Sequence, residues 1–272
     1  MPKKYTDEFL EEVYKYMQDT NLGVSAVAKH FNVDRGTLSA RLKEKYDNVI
    51  SRKDGKLDID STFFNIINTE HKAYWLGFLT ADGYISSKRT AIELCLAEID
   101  KHHIELFKED IKSSHKLIKK KTLLNNKEFI SYKLTFRDKE ISSALQSLGL
   151  NNDKSYNSYI PFESIPSDLM QHYIRGLMDG DGCISYMSNN RIKVCVCTTA
   201  SLRMANDIIF YFKKELNIDI KIYTDNNSIH DLCIYKQEDV QKFYNWLYKD
   251  STIYLERKYS KFAVLEERHR DF

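Results

Sequence analysis

The sequence predicts an α+β protein in which two similar lobes, each ordered αββαββα, follow a small all-α domain. One short stretch occurs twice, as WLGFLTADG at 75–83 and as IRGLMDGDG at 174–182. The segments after each copy run in the same order, with helical periodicity followed by strand-like alternation. Residues 5–46 show helical spacing and capping signals instead. Duplication of one unit, with the copies related by a pseudo-two-fold axis, explains this pattern.

These observations divide the chain into four parts. We expect a helix-turn-helix module over 1–50, a linker over 51–66, a first lobe over 67–160 and a second lobe over 161–272. The linker is placed where the chain is polar, mixed in charge and contains a glycine. A chain of 272 residues has room for one large domain and a small module.

Composition excludes several classes of protein. The chain is 42% hydrophobic and 29% charged, and no apolar run approaches the roughly 20 residues that span a membrane. Its N-terminus lacks the apolar region of a signal peptide, and five cysteines without a CxxC pair indicate reduced core or strand residues. We expect an intracellular protein without a membrane partner, in the cytoplasm or nucleoid of a prokaryote or phage-infected cell, or in an organelle.

Three short helices are predicted over residues 5–46. Thr6 and Ser25 are expected to cap the first two, and the third follows Asp34. The third helix carries polar and basic side chains suited to a DNA major groove, which makes the module a candidate helix-turn-helix. A small structural bundle is the alternative. The candidate DNA contacts on this helix are Arg35, Thr37, Ser39, Arg41 and Lys43.

The repeated stretch is typical of an apolar helix with small residues on one face. Gly77 and Ala81 are four residues apart, as are Gly176 and Gly180. Small residues at this spacing allow two backbones to approach closely, so we expect the two repeated helices to pack on each other. The alternative is that each glycine packs only within its own lobe.

Each repeated helix ends in an acid followed by glycine. Asp82 and Asp181 lie in the last turn, where a negative charge opposes the helix dipole at a cost of about 0.3–1 kcal/mol. Parallel packing also brings the two like charges together. A divalent cation offsets both effects, because Mg²⁺ and Ca²⁺ take carboxylate oxygens together with substrate phosphate oxygens. Two ordinary surface Asp-Gly turns are the alternative.

The doubled stretch resembles the LAGLIDADG motif, which names a family of homing endonucleases, in its single-chain, two-motif form. The resemblance extends over residues 67–272. It implies a saddle of two four-stranded antiparallel sheets over the DNA major groove, with the motif helices at the centre. It also implies that Asp82 and Asp181, with the backbone oxygens of Ala81 and Gly180, bind Mg²⁺ or Mn²⁺ beside the scissile phosphates. Ca²⁺ is expected to bind without supporting cleavage.

Two lysines recur late in the lobes. The resemblance implies that Lys154 and Lys258 polarise the attacking water or neutralise charge in the transition state. The chain departs from the motif at Thr80, which replaces an earlier acid that Asp179 retains, and at Arg175, where Ala is common. The change at Thr80 concerns packing more than catalysis, because that position is not the metal ligand.

A basic stretch lies between Lys112 and Lys139. It holds nine Lys or Arg residues against two acids, interleaved with apolar residues, and predicts two strands with a basic face that could follow phosphates. A solvated surface is the alternative interpretation. The resemblance adds outward residues of the first strands of each lobe, an assignment that a one-residue register shift would reverse. The lobe candidates for DNA contact are Ser86, Lys88, Arg89, Glu93, Lys119, Lys121, Lys133, Ser185, Tyr186, Asn189, Arg191, Lys193 and Lys221.

The function that the resemblance implies is site-specific double-strand DNA cleavage by a divalent-metal mechanism, in a mobile element. Because the lobes differ in their candidate DNA residues, we expect a long asymmetric target and a monomer that acts as a pseudo-dimer. A non-cleaving transcription regulator on the same fold and an RNA maturase that assists intron splicing are the alternatives. An intein is not expected, because the sequence begins with Met and lacks a terminal Asn.

Overall fold

The structure is a computed structural model that describes residues 5–20, 22–46, 57–86, 90–151, 154–187 and 191–262, without the side chains of 154 and 155. The chain divides into two compact units, Met1–Leu57 and Asp58–Phe272. The second unit contains two four-stranded sheets with helices around them, so the predicted α+β class with duplicated lobes is confirmed. No helix among the described residues is both long enough and apolar enough to cross a membrane.

The first unit contains the helices α1 (Asp7–Thr20), α2 (Val24–His30) and α3 (Arg35–Lys45). Thr6 caps α1 as predicted, since Phe9 N–H donates to its hydroxyl at 3.2 Å. The predicted cap at Ser25 is wrong, because α2 already begins at Val24 and its N-cap is Gly23, which has no side chain to accept a hydrogen bond. The helices enclose a small core of Leu10, Val13, Met17, Val27, Ala28, Leu38 and Leu42.

Each lobe of the second unit follows the predicted order of elements. The first lobe contains α4 (Glu70–Asp82), β1 (Tyr84–Ser86), β2 (Ala91–Ala97), α5 (Lys101–Asp110), β3 (Ile118–Leu124), β4 (Lys127–Arg137) and α6 (Lys139–Ser147). A short helix, α7 (Lys154–Asn157), leads to the second lobe. That lobe contains α8 (Met170–Asp181), β5 (Cys183–Tyr186), β6 (Ile192–Thr199), α9 (Leu202–Tyr211), β7 (Lys221–Thr224), β8 (His230–Ile234) and α10 (Gln237–Tyr248), and α11 (Glu256–Tyr259) follows.

The two sheets have the same strand order. It is β1-β2-β4-β3 in the first lobe and β5-β6-β8-β7 in the second, and neighbouring strands are antiparallel. One face of each sheet packs under the helices through buried aliphatic side chains such as Ile92, Leu134, Val194 and Leu232. The opposite face carries polar and charged side chains, as expected for antiparallel sheets with one solvated side. All five cysteines lie on strands and none forms a disulfide.

Side-chain caps fix where several helices begin. Thr69 accepts a hydrogen bond from Lys72 N–H at 3.4 Å and so starts α4. Asp138 accepts one from Ile141 N–H at 3.0 Å at the start of α6. Such caps satisfy N–H groups that have no partner within the helix, and each stabilises by about 1 kcal/mol. The cap at Thr69 therefore helps to determine where α4 starts along the chain.

The structure shortens the predicted linker. Its expected end is residue 66, yet Phe63 and Phe64 are buried in the core of the second unit. Asp60 N–H also donates to the Ile111 carbonyl at 2.8 Å, which ties this segment to the first lobe. Burial of the aromatic pair explains the difference, because the polar composition that predicts a linker stops before it.

The segment that follows each lobe makes a contact with the other lobe. After the first lobe, Ile160 N–H donates to Asp207 Oδ2 on α9 at 3.0 Å. After the second lobe, Arg257 Nε donates to Asp100 Oδ1, just before α5, at 2.9 Å. The segment after the second lobe also contacts its own lobe, where Lys258 Nζ donates to the Met178 carbonyl at 2.8 Å. The predicted boundary between residues 160 and 161 lies inside the segment that follows the first lobe.

Candidate functional site

Helices α4 and α8 meet in direct backbone contact. A Cβ added to Gly77 would collide with the carbonyl oxygen of Tyr173, and one added to Gly176 would collide with that of Tyr74. Glycine is required at both positions, because the obstacle is the main chain of the other helix. The two contacts repeat at the same sequence offset, and so they are equivalent in the two copies.

The two helices run parallel and end at the same place. Gly180 and Ala81, in the last turns, are neighbours: a Cβ on Gly180 would collide with that of Ala81. The same point lies 3.5 Å from Oδ2 of Asp82. Asp181 directly follows Gly180, and so the structure brings both predicted acids to one end of the helix pair.

The electrostatics at this end are unfavourable for two acids alone. Asp82 is exposed and Asp181 is half-buried, and each stands at the negative end of a helix dipole. Burial lowers the pKa of the Lys258 ammonium, and both carboxylates are near enough to oppose that shift. The end of the helix pair therefore concentrates negative charge beside a buried ammonium.

The donor set at this end suits a hard divalent cation. Two carboxylates and the main-chain oxygens of Ala81 and Gly180 are oxygen donors of the kind that Mg²⁺ and Mn²⁺ accept. No group of three or more His, Cys, Asp or Glu in the described part of the chain could hold a metal ion. Mg²⁺ commonly keeps several waters and binds through one or two carboxylates plus substrate phosphates, so two acids fit it when a phosphate is present.

Lys258 lies at the same end with its ammonium already engaged. The residue is 5% exposed, and Nζ donates to the carbonyl oxygens of Met178, Asp179 and Gly180 at 2.8, 2.6 and 3.0 Å. An ammonium has three N–H donors, so these bonds use all of them. The expected action of Lys258 on an attacking water would require one of these bonds to open. Lys154 lies on α7, and its side chain is outside the described atoms.

Asp179, assigned to packing by the sequence, is a buried carboxylate in a polar network. Its Oδ2 accepts hydrogen bonds from the Tyr74 hydroxyl and from Leu255 N–H, both at 2.8 Å. Burial raises the pKa of Asp179 to about 6, although the two hydrogen bonds oppose that shift. Tyr74 also contacts His103 Nε2 at 2.7 Å, and burial lowers the pKa of that imidazole to about 3, which keeps it neutral. The network joins α4, α5, α8 and the C-terminal segment.

The first copy has no equivalent of this carboxylate. Thr80 stands at the corresponding position, and its hydroxyl donates to the Leu76 carbonyl one turn earlier at 2.8 Å. Tyr173, the counterpart of Tyr74, reaches the Thr80 hydroxyl at 3.5 Å. A tyrosine repeated at the offset of the motif is the sequence feature that could have identified this network.

Arg175, the other departure from the motif, is fully buried. Its guanidinium donates to Glu70 Oε1 at 2.6 Å and to the carbonyl oxygens of Leu247 and Ile253, each at 2.8 Å. Glu70 also accepts Thr252 N–H at 2.7 Å. These contacts tie the start of α4 to the end of the second lobe. The role of Glu70 is not recognisable from the sequence, because an acid in a first helical turn is already favourable toward the helix dipole.

The candidate residues of the first sheet fall on both of its faces. Glu93 and Lys133 lie on the face away from the core and form an ion pair of 2.9 Å. Lys119 and Lys121 alternate with Lys120 along β3, and the register places Lys120 on the face of Lys133. Lys119 and Lys121 therefore lie on the opposite face, although the whole of β3 is exposed.

The second sheet gathers three candidates on one face. Ser185, Lys193 and Lys221 share the face away from the core, because their strands pair in matching register. Tyr186 lies on the opposite face, and its hydroxyl donates to the Lys261 carbonyl at 3.0 Å. The two sheets thus each present a polar face that includes lysines.

The remaining lobe candidates lie at strand ends. Ser86 is buried at the end of β1, and Arg191 is exposed just before β6. Lys88, Arg89 and Asn189 lie outside the described residues.

The candidates on α3 in the first unit lie on the solvent side of that helix. Asp34 caps α3 by accepting Thr37 N–H at 2.8 Å, and Arg41 forms an ion pair of 2.9 Å with Glu44. The DNA-binding role of this unit stays a prediction. Ser39 is half-buried and the other candidates are exposed, namely Arg35, Thr37, Arg41 and Lys43.

Two parallel helices packed through glycines, each leading into the same order of strands and helices, define the class of this protein. The chain contains a LAGLIDADG-like domain and has the LAGLIDADG fold. Residues 168–247, which include the second copy of the repeated stretch, match the family model described as a LAGLIDADG-like domain.

Several known proteins are similar to this chain. The structure of the homing endonuclease I-WcaI bound to its DNA recognition sequence matches with a TM-score of 0.54 at 13% identity, over 72% of this chain and 87% of that chain. This likeness shows the fold. The LAGLIDADG homing endonuclease I-GzeII in complex with its DNA target has a TM-score of 0.47 at 13% identity, over 74% and 89%. The N-terminal LAGLIDADG domain of DUF199/WhiA has a TM-score of 0.46 at 14% identity, over 71% and 90%.

A curated relative also shares part of the sequence. The replication factor C small subunit of Methanocaldococcus jannaschii is 26% identical over 172 residues. The aligned region is 59% of this chain and 8% of the relative, so the chain spans only a small part of that protein.

Proposed function

We propose that the chain is a metal-dependent, site-specific DNA endonuclease. The observation that supports this most is the convergence of Asp82 and Asp181 at the ends of two parallel helices. Two like charges at the negative ends of two dipoles are unfavourable unless a cation offsets them. Phosphodiester hydrolysis assisted by a divalent metal is the chemistry that such a site serves best.

The chain supplies the donors and fixes their positions. Asp82 and Asp181, with the carbonyl oxygens of Ala81 and Gly180, would hold Mg²⁺ or Mn²⁺. When bound, the metal supplies Lewis-acid stabilisation of the reacting phosphate oxygens. The glycine contacts of α4 and α8 hold the two acids at a fixed separation, so that each acid can serve one DNA strand. Ca²⁺ takes the same kind of oxygen donors, and we expect binding without cleavage.

DNA would lie against the polar faces of the two sheets. Lys120 and Lys133 are on that face in the first lobe, and Lys193 and Lys221 are in the second. Lysines in such positions neutralise phosphates, so binding should weaken steeply with salt. The facing residues differ between the lobes, which supports an asymmetric target for a monomer. Helix α3 of the first unit would extend the contacted site through a major groove.

The test is cleavage by the purified full chain with Mg²⁺. Candidate targets come from a plasmid library with a randomised insert and from the DNA that flanks the gene. We expect wild type to cut both strands, and Asp82→Asn and Asp181→Asn to bind DNA without cutting it. Asp168→Asn is the matched control, because it removes the same charge just before the other end of α8.

Other outcomes would favour the alternatives. Tight DNA binding with no cleavage in Mg²⁺ or Mn²⁺, on any selected target, would contradict the endonuclease and favour a transcription regulator. Acceleration of intron splicing that survives in Asp82→Asn and Asp181→Asn would favour an RNA maturase.

A further inference from the structure

The two copies of the motif differ in how they hold the segment that follows their lobe. In the second copy, Asp179 Oδ2 accepts Leu255 N–H at 2.8 Å, immediately before α11. Asp179 is 1% exposed, so this bond is shielded from water. A hydrogen bond to a buried carboxylate is among the strong ones, because charge assists it and solvent does not compete.

The same segment is held a second time three residues later. Lys258 caps the end of α8 through three main-chain carbonyl oxygens, including Asp179 O and Gly180 O. Asp179 thus holds the segment with its side chain at Leu255 and with its main chain at Lys258. Gly180 directly precedes Asp181, so these hydrogen bonds hold the residue next to the proposed metal ligand.

The first copy cannot make the corresponding hydrogen bond through its side chain at this motif position, Thr80. Thr80 is shorter than an aspartate, and its hydroxyl donates to the Leu76 carbonyl within its own helix. The difference is built into the sequence, since one copy has Thr and the other has Asp at the same motif position.

We propose that Asp179 is a positioning residue for the half-site at Asp181, meaning the part of the site that would cut one DNA strand. Asp179 acts through Leu255 N–H, which places Lys258 on the end of α8. Lys258 then orients the last turn of α8 and offsets the charge there, while its three donors stay engaged with the main chain. The two half-sites are unequal, and the strand served by Asp181 is cut faster. This inference rests on the proposed endonuclease function.

Hydrogen–deuterium exchange of the full chain tests the contact without any substrate. Asp179→Thr installs the residue of the first copy, and exchange over residues 255–258 should become about tenfold faster, because a buried hydrogen bond is lost. Asp179→Asn keeps an acceptor for Leu255 N–H and should remain within about twofold of wild type. Thr80→Val is the matched control in the first copy and should leave this exchange unchanged. Unchanged exchange in Asp179→Thr overturns the proposal.

A second variant tests the same bond if Asp179→Thr does not fold. Leu255→Pro removes the N–H donor and keeps Asp179, at a φ of −84° that proline can approach. Exchange over 256–258 should rise by a similar factor, and unchanged protection there contradicts the proposal.

Strand-resolved cleavage then separates positioning from a general loss of structure. On a target labelled differently on each strand, wild type should cut the two strands at unequal single-turnover rates. Asp179→Thr should slow the faster strand by about tenfold and leave the other strand and the DNA Kd within about twofold, whereas Asp179→Asn should restore the rate. Equal slowing of both strands together with a lower Tm overturns the proposal. If wild type cuts no DNA, the proposed endonuclease function is wrong. The exchange data then still show whether Asp179 holds the Leu255 N–H.

Discussion

The two copies of the motif are equivalent where their helices touch and different where they face the rest of the molecule. At the contact, both copies place glycine against the main chain of the other helix. Directly before this glycine and one turn after it, the first copy has Leu76 and Thr80 where the second has Arg175 and Asp179. The main-chain contact tolerates no side chain, whereas the neighbouring positions accept either apolar packing or buried polar groups. Because only the second copy has charged groups at these positions, Arg175 and Asp179, the two copies differ in how they are held to the rest of the molecule.

The largest effect is expected at Arg175. Arg175→Leu installs the type of residue found in the first copy, but it leaves the largely buried Glu70 without its guanidinium partner. We expect the free energy of unfolding to fall by about 3–5 kcal/mol, as measured by denaturant titration. Adding Glu70→Gln should recover part of the loss, because it removes the unpaired charge. A double variant no more stable than Arg175→Leu would show that the ion pair is not the cause.

The helix contact should respond alike in both copies. Gly77→Ala and Gly176→Ala each push a methyl group into a carbonyl oxygen of the other helix, so each should cost about 3 kcal/mol in the free energy of unfolding. Gly23→Ala is the control, since a Cβ there meets no heavy atom within 4 Å. Thermal and denaturant unfolding of the three variants would check this. A large loss in one copy and a small loss in the other would contradict their equivalence.

His103 allows a test by pH. It is the third residue of α5, and Met204 is the third residue of α9, so His103→Met makes the first lobe resemble the second. Burial lowers the pKa of His103 from 6.5 to about 3, so below pH 6.5 the unfolded chain binds a proton that the folded chain does not. Wild type should therefore lose about 2 kcal/mol more than the variant between about pH 7 and pH 5.

Urea midpoints of both proteins at the two pH values measure this difference. Asp179 acts in the opposite direction, because its raised pKa adds stability as the pH falls through about 6. Both proteins contain Asp179, although His103→Met removes the His103 contact of the Tyr74 hydroxyl that also donates to Asp179. Parallel losses in the two proteins would mean that His103 titrates in the folded chain as it does in the unfolded one.

The smallest effect concerns the polar face of the first sheet, which we propose contacts DNA. Lys120→Ala should reduce the slope of log Kd against log salt by about 1, as expected when one phosphate contact is lost. Lys119→Ala should leave the slope unchanged, because Lys119 lies on the other face, 3.6 Å from Glu98. Fluorescence anisotropy across a salt series separates the two variants. Equal slopes would show that strand register does not decide which lysine reaches DNA.

The duplication makes most of the fold predictable from sequence. Because each motif helix must leave room for the main chain of its partner, glycine is required at matched positions, and this requirement is visible in Gly77 and Gly176. The order of strands and helices then follows from periodicity in both halves. The two acids at the helix ends are predictable for the same reason, since they repeat where the helices terminate.

The face of β3 cannot be predicted from its basic residues. Three consecutive lysines, Lys119 to Lys121, give no alternation from which to choose a side. The turn decides the register instead: Asn125 and Asn126 have φ of 49° and 59°, and their two-residue hairpin pairs Leu124 with Lys127. Paired residues with positive φ are typical of a type I′ turn, for which asparagine is favoured. The Asn125–Asn126 pair is therefore the sequence feature that predicts the register of β3 and which of its lysines share a face.

The contacts of Arg175 and Leu255 lie beyond local sequence patterns. Arg175 donates to the Ile253 carbonyl 78 residues later in the chain, and Asp179 accepts Leu255 N–H 76 residues later. Propensity and periodicity describe neighbours within a few turns, so they contain no information about which distant segment covers a helix. An arginine in an apolar helix signals only that some buried acceptor must exist.

The segments that follow the two lobes affect how halves of such a protein can be recombined. A junction placed midway between the two motifs would not yield two self-sufficient modules, because the stretch around Ile160 contacts the second half and the stretch around Arg257 contacts both halves. A chimera built from two parents should therefore take the stretch around Ile160 from the parent of its second half. Its final residues should keep their contacts with both halves, namely that of Arg257 with Asp100 and those of Leu255 and Lys258 with α8.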